Sequence, residues 1–254
     1  MYALHHAVYG EDFDMVALLL RHRAEVNRRD SHNETALTSA SKGSNIDVVR
    51  LLLQNGADIN ALGGAYGTAL GEAVAFGSVE IVRILLQEGA DVNAQGGVYG
   101  TALGAAAALG EVEIVRILLQ EGADINAQGG DFGTALGAAA AEGEIEIVRI
   151  LLEEGADIYA RGSSRGPALQ QAVRWRHENV VEVLLDASVE NRYQDIWDTM
   201  YGRLKKIREL ESEDPYNELE RARRIQKMLD QWLAKQESKK KSARKYQPSR
   251  ILFQ

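Results

Sequence analysis

Residues 101–133 read TALGAAAALGEVEIVRILLQEGADINAQGGDFG, and residues 68–100 read TALGEAVAFGSVEIVRILLQEGADVNAQGGVYG, so one 33-residue phrase is written twice with few changes. Working outward, Thr-Ala-Leu begins at Thr35, Thr68, Thr101 and Thr134, appears as Pro167-Ala-Leu, and is preceded by Tyr2-Ala-Leu at the same interval. Gly56-Ala-Asp-Ile-Asn, Gly89-Ala-Asp-Val-Asn, Gly122-Ala-Asp-Ile-Asn and Gly155-Ala-Asp-Ile-Tyr keep step with it, and Arg23-Ala-Glu-Val-Asn extends the series backwards. A fixed period of this length marks a stacked array. Six units begin near residues 2, 35, 68, 101, 134 and 167, the first lacking its leading loop and the last degraded.

Inside one unit, Thr101 to Leu109 reads as a short helix whose small residues permit close packing, stopped by Gly110, which can adopt a positive φ. A second helix follows from Glu111 to Glu121, with Val112, Val115, Leu118 and Leu119 as its apolar stripe and Ile114 widening it. Glu111 and Glu113 fall in its first turn, where carboxylates complement the helix dipole, and Glu113 is placed to reach Arg116. Gly122 caps it, and a glycine-rich turn leads to the next unit. Neither helix buries its apolar face alone, so the units must stack into an all-α solenoid in which each contacts only its neighbours.

The rest of the composition fits such a body. The 254 residues contain no cysteine, which excludes a disulfide scaffold, a thiolate metal site and a cysteine nucleophile together, and makes a reducing, cytoplasmic setting the expectation. No apolar stretch approaches the roughly 18 residues of a bilayer span, and the first residues carry no signal-like core. Charge divides the chain: residues 1–190 hold 13 Lys+Arg against 27 Asp+Glu, a balance of −14, whereas residues 191–254 hold 16 against 10, a balance of +6.

These phrases at this period resemble the ankyrin repeat family over residues 2–190, and Gly96-Gly-Val-Tyr-Gly-Thr-Ala-Leu is similar to the variant common in large fungal ankyrin arrays. The resemblance implies a non-catalytic scaffold that binds a partner protein on a concave face lined by the loop tips and the C-terminal ends of the first helices. It also marks departures. The family's Thr-Pro-Leu-His becomes Thr-Ala-Leu-Gly at Gly71, Gly104 and Gly137, so the histidine that ties neighbouring units is missing there, and only His5 matches it.

Mapped onto this chain, the first-helix ends are Tyr9, Lys42, Phe76, Leu109, Glu142 and Trp175, and the loops contribute Leu62, Tyr66, Gln95, Tyr99, Gln128, Phe132, Arg161 and Arg165. The near-identical units differ at these places, which points either to recognition or to freedom from packing. The expected partner-binding set is Tyr66, Phe76, Tyr99, Leu109, Phe132, Glu142, Arg174 and Trp175. Tyr66, Tyr99 and Phe132 recur as a stripe, and the sequence leaves open whether they await a ligand or pack between loops.

Catalytic chemistry finds no foothold. The five histidines lack paired ligand spacing, the carboxylate pairs Glu111/Glu113 and Glu144/Glu146 recur at helix starts as dipole partners, and the Gly-Gly loops lack a phosphate-binding lysine. The expectation is no enzyme activity, no cofactor and no metal, with a monomeric chain and no membrane.

From Asn191 the period is lost. Ile196, Met200, Leu204, Ile207 and Leu210 step by three and four, and this helix is expected to cap the sixth unit, with a self-associating arm as the alternative. Asp214-Pro215 breaks it, and a second helix is expected from Tyr216 to Ala234 with Leu219, Ala222, Ile225, Leu229 and Trp232 on one side. Residues 191–234 thus read as a helical hairpin or cap, and 235–254 as a basic, disordered tail. The tail supports the competing functional reading, a nuclear or nucleic-acid-associated role, because Arg223-Arg224, a 12-residue spacer and three lysines within 237–241 match a bipartite import pattern. The −14 body repels nucleic acid and favours a partner with a basic patch.

Overall fold

The computed structural model describes residues 2–160, 162, 165–188 and 218–245. Six helix pairs follow in order: α1 (Ala3–Tyr9) with α2 (Phe13–Arg21), α3 (Ala36–Ala40) with α4 (Ile46–Gln54), α5 (Ala69–Ala75) with α6 (Val79–Gln87), α7 (Ala102–Ala108) with α8 (Val112–Gln120), α9 (Ala135–Glu142) with α10 (Ile145–Glu153), and α11 (Ala168–Trp175) with α12 (Glu178–Ala187). A last helix, α13, runs Glu218–Lys245. Among the described residues the strand-like pairing is a single bridge, Gly129 with Gly133.

The repeated phrases now have physical meanings. The threonine of Thr-Ala-Leu is the N-cap of α3, α5, α7 and α9, whereas Tyr2 and Pro167 stand at that place before α1 and α11 without a side-chain bond. Thr68, Thr101 and Thr134 accept the amide of Gly71, Gly104 and Gly137 on their hydroxyls at 3.0–3.1 Å, and Thr35 makes a reciprocal box with Thr38. Such a cap contributes about 1 kcal/mol. The asparagine that closes each Gly-Ala-Asp-x-Asn phrase joins one pair to the next. Asn27, Asn60, Asn93 and Asn126 accept, on Oδ1, the amides of Asp58, Asp91, Asp124 and Asp157 at 2.7–2.8 Å. Each of those aspartates in turn accepts the amide two residues on, which fixes its turn. Tyr159 stands in the next asparagine position.

First helices pack on first helices and second on second, and the alanine-rich first helices approach one another much more intimately. In α7 every alanine and Leu103 are buried. The apolar stripe of α8 differs from the sequence reading: Ile114, Val115, Ile117 and Leu118 are buried, whereas Val112 and Leu119 are half-buried. A second helix is flanked by its own first helix and by neighbours on both sides, so its covered arc is shifted and wider than one stripe. Glu113 also differs, reaching back to Arg83 of the preceding pair at 3.3 Å.

At the C-terminal end, Ile225, Leu229 and Trp232 of α13 are buried against α12, and the Trp232 indole N–H donates to the Leu185 carbonyl at 3.0 Å. The cap that is observed is thus the second C-terminal helix. The segment Ile196–Leu210, to which the sequence reading gave that role, lies outside the described residues. Of the stretch expected as a disordered tail, residues 235–245 continue α13 through Lys245, and residues 246–254 lie outside the described residues. Residues 233–245 contain neither glycine nor proline and hold five lysines and an arginine with two alanines, a leucine, a glutamine and a glutamate, all good helix formers, and like-charge pairs cost a helix only tenths of a kcal/mol each.

Candidate functional site

The face that the resemblance points to is lined by the residues that end each first helix. Phe76 and Leu109 are the C-cap residues of α5 and α7, Glu142 and Trp175 the last residues of α9 and α11. One turn earlier these helices are wholly buried, but at their ends Phe76 is 55% exposed, Leu109 37% and Trp175 51%. Glu142 and Arg174 are exposed beside them. Five of the eight residues expected from sequence therefore stand on the surface of one face.

The other three do not. Tyr66 and Tyr99 stack with ring centroids 6.0 Å apart and planes 15° from parallel, and Tyr99 and Phe132 at 5.8 Å and 14°. The Arg165 guanidinium continues the stack 4.6 Å over Phe132 and pairs with Asp131 at 3.2 Å. The rings are half-buried and pack on one another as a ladder along the loops. The loop backbones pair too, Val98 donating to the Ala65 carbonyl and Asp131 to that of Val98. This closeness is what the Gly-Gly phrase provides. A Cβ at Gly97 would fall 2.5–2.6 Å from backbone atoms of Ala65 and Tyr66, and its φ of 67° is one that L side chains rarely adopt.

A polar cluster at the N-terminal end of the face escaped the sequence reading. Glu34 accepts hydrogen bonds from the Tyr9 hydroxyl at 3.0 Å, from the Ser39 hydroxyl at 3.2 Å and from the Lys42 ammonium, while the Glu72 carboxylate lies 4.0 Å from the same ammonium. His5, the histidine matching the family position, joins the first two pairs through its Nε2 and the Glu34 carbonyl at 3.1 Å. Burial works against the charge on Glu34, but Lys42, Tyr9 and Ser39 outweigh it and hold its carboxyl below the ordinary glutamate range. Burial pushes the Glu72 carboxyl up, only partly offset by the Tyr66 amide and Lys42. Burial likewise opposes the charge on Lys42, yet the Glu34 hydrogen bond and both carboxylates raise it. Glu72 was detectable in principle, since it interrupts a helix whose counterparts carry Ala105 and Ala138 at that register. Its engagement with Lys42, 30 residues away and outside the repeated phrases, was not.

Among the described residues no group of three His, Asp or Glu side chains is arranged to hold a metal ion, and no helix is long and apolar enough to cross a membrane. No match to the chain is found among curated proteins. The ankyrin-repeat family matches in three copies, over residues 1–63, 64–129 and 128–195, so that successive matches take up the helix pairs roughly two at a time. Period, capping phrases, inter-pair asparagines and family match agree: the chain belongs to the ankyrin repeat family.

Proposed function

We propose that the chain is a non-catalytic interaction scaffold that binds a partner protein on its concave face, with Phe76 and Leu109 as the apolar centre and Glu142, Arg174 and Trp175 setting selectivity. Ankyrin repeats generally serve as protein-interaction modules. The observation that carries the finer reading is the exposure of large apolar side chains at the first-helix ends, where the rest of each helix is buried. Aromatic and arginine side chains dominate binding hot spots because they bury much area and also stack or hydrogen-bond. The acidic body favours a partner with a basic patch through faster encounter. Tyr66, Tyr99 and Phe132 belong to the same binding set, and their stacking on one another stiffens the loops beside the face.

A second reading, a nuclear or nucleic-acid-associated role, draws on α13, whose helix carries the basic run Lys239 to Lys245 as an ordered continuation of the cap. The first reading is preferred because the body's charge opposes nucleic acid; it places the protein in the cytoplasm. Immobilised full-length chain used to capture partners, followed by hydrogen exchange on the purified complex, separates the two. The scaffold reading expects new protection at the first-helix ends of pairs three to six. Protection confined to α13 supports the second reading.

A further inference from the structure

Glu72 is fully buried, and its two oxygens have different fates. Oε1 accepts the amide of Tyr66 at 3.0 Å, while Oε2 has no hydrogen-bond partner among the described residues and faces the Lys42 ammonium at 4.0 Å. The Ala65 amide also points to this carboxylate. In the next two pairs the same register holds Ala105 and Ala138, and there loop amides donate to the preceding loop, Val98 to Ala65 and Asp131 to Val98. The loop before α3 has no Gly-Gly phrase on which the third loop could lie in that way. Glu72 thus receives the amides that begin the ladder.

The sixth pair ends the ladder with the complementary group. Gln171 holds the register of Glu72, is also fully buried, and donates through Nε2 to the Phe132 carbonyl at 2.8 Å and the Gly166 carbonyl at 3.2 Å. An acceptor side chain meets the amides at one end and a donor meets the carbonyls at the other. The acceptor alone can change its charge.

We propose that Glu72 is a proton-operated latch on the seam between the second and third helix pairs: it takes up a proton before Glu34 does, and Lys42 then belongs to Glu34 alone. The groups that face it are Lys42 and Glu34 from the preceding pair, the amides of Ala65 and Tyr66 from its own loop, and Tyr99 of the next pair across the Tyr66 ring. The neighbouring helix α6 turns its charged residues Glu80 and Arg83 to solvent. Glu34 and Glu72 share one ammonium, but it bonds Glu34 directly, together with two hydroxyls, whereas Glu72 is more deeply buried, holds two loop amides and leaves Oε2 unpartnered 4.0 Å from the ammonium, so a falling pH neutralises Glu72 first. The floor beside Phe76 then passes from two carboxylates and one ammonium to one of each. The amide of Phe76 donates to the Glu72 carbonyl, so latch and exposed ring share one helix end.

Linkage fixes the sign. A carboxyl raised by burial contributes stability that is present below the ordinary glutamate range and is lost as pH rises through its folded midpoint. Carboxyl-detected NMR titration of the full chain tests the proposal. The Glu72 carboxyl is expected to titrate at higher pH than that of Glu34, with the Tyr66 amide shift following the Glu72 step. Glu72→Gln is expected to erase that step from Tyr66 while the Glu34 midpoint stays, and the Tm of wild type relative to this variant is expected to fall as pH rises. Lys42→Met is expected to raise both midpoints, and it decides the matter if Glu72→Gln does not fold. Glu34 titrating first, or a Tyr66 amide indifferent to the Glu72 step, overturns the proposal. Both readouts belong to the free chain, so the result is independent of where a partner binds.

Discussion

The carbonyl oxygen of Tyr99 lies against Gly104, in the space a side chain there would need. The same holds for Tyr66 with Gly71 and for Phe132 with Gly137, where a Cβ would stand 2.5 Å from the oxygen. The glycine that replaces the family's histidine is therefore the seat of the aromatic loop. Gly104→Ala is expected to lift the Tyr99 loop and destabilise the array by ~1–3 kcal/mol, the range for overpacking a tight site. Chemical denaturation measures the loss, and the Tyr99 ring resonances report the lifted loop. An alanine variant as stable as wild type would contradict the close approach.

Leu118 is wholly buried at the centre of three near-identical pairs, so Leu118→Ala is expected to cost ~2–5 kcal/mol. Because stability in a linear array is a sum of pair and interface contributions, the central pairs should also hold their amide protons longest. Hydrogen exchange that protected the first or sixth pair more than the third to fifth would contradict this.

Trp232 anchors α13 by burial and by its hydrogen bond to Leu185. Trp232→Ala is expected to weaken that docking by about 3 kcal/mol, the low end for a buried aromatic, and to expose the outer side of α12. Faster amide exchange in α12 with no change in α6 or α8 is the expected pattern. Unchanged protection of α12 would show that the helix is not the cap.

The Tyr9 hydroxyl is one of the donors that keep Glu34 ionised. A carboxyl held low contributes stability that is present above the ordinary glutamate range and lost as pH falls through its folded midpoint. Tyr9→Phe is expected to cost roughly 0.5–1.5 kcal/mol near neutrality and to move the acid limb of the stability profile to higher pH. Thermal melts between neutral and strongly acidic pH check both.

What was legible in the sequence follows from what repeats. The 33-residue register, the start of the first helix at Thr101 and its counterparts, and Gly110 as a stop are local signals written several times, so each copy corroborates the others. The fate of Tyr66, Tyr99 and Phe132 was not legible, because a ring spaced one unit from its copy looks the same whether it stacks on that copy or faces solvent. The close approach at Gly97 decides it, and that is a property of two loops together. The Glu34, Lys42 and Glu72 cluster is written once and joins two pairs, so no periodicity marks it. At the C-terminus, Lys239 to Lys245 reads as a tail by charge, yet the buried Ile225, Leu229 and Trp232 fix a helix that continues into it.

The central claim is that the exposed first-helix ends bind the partner, and the affinity of a captured partner for point variants tests it most directly. By calorimetry, Phe76→Ala and Trp175→Ala are each expected to weaken binding by more than ~1 kcal/mol, about fivefold, with the helical signal of the free chain unchanged. Unchanged affinity in both variants, together with loss of binding when residues 235–254 are deleted, would contradict the account and move the site to the basic end of α13.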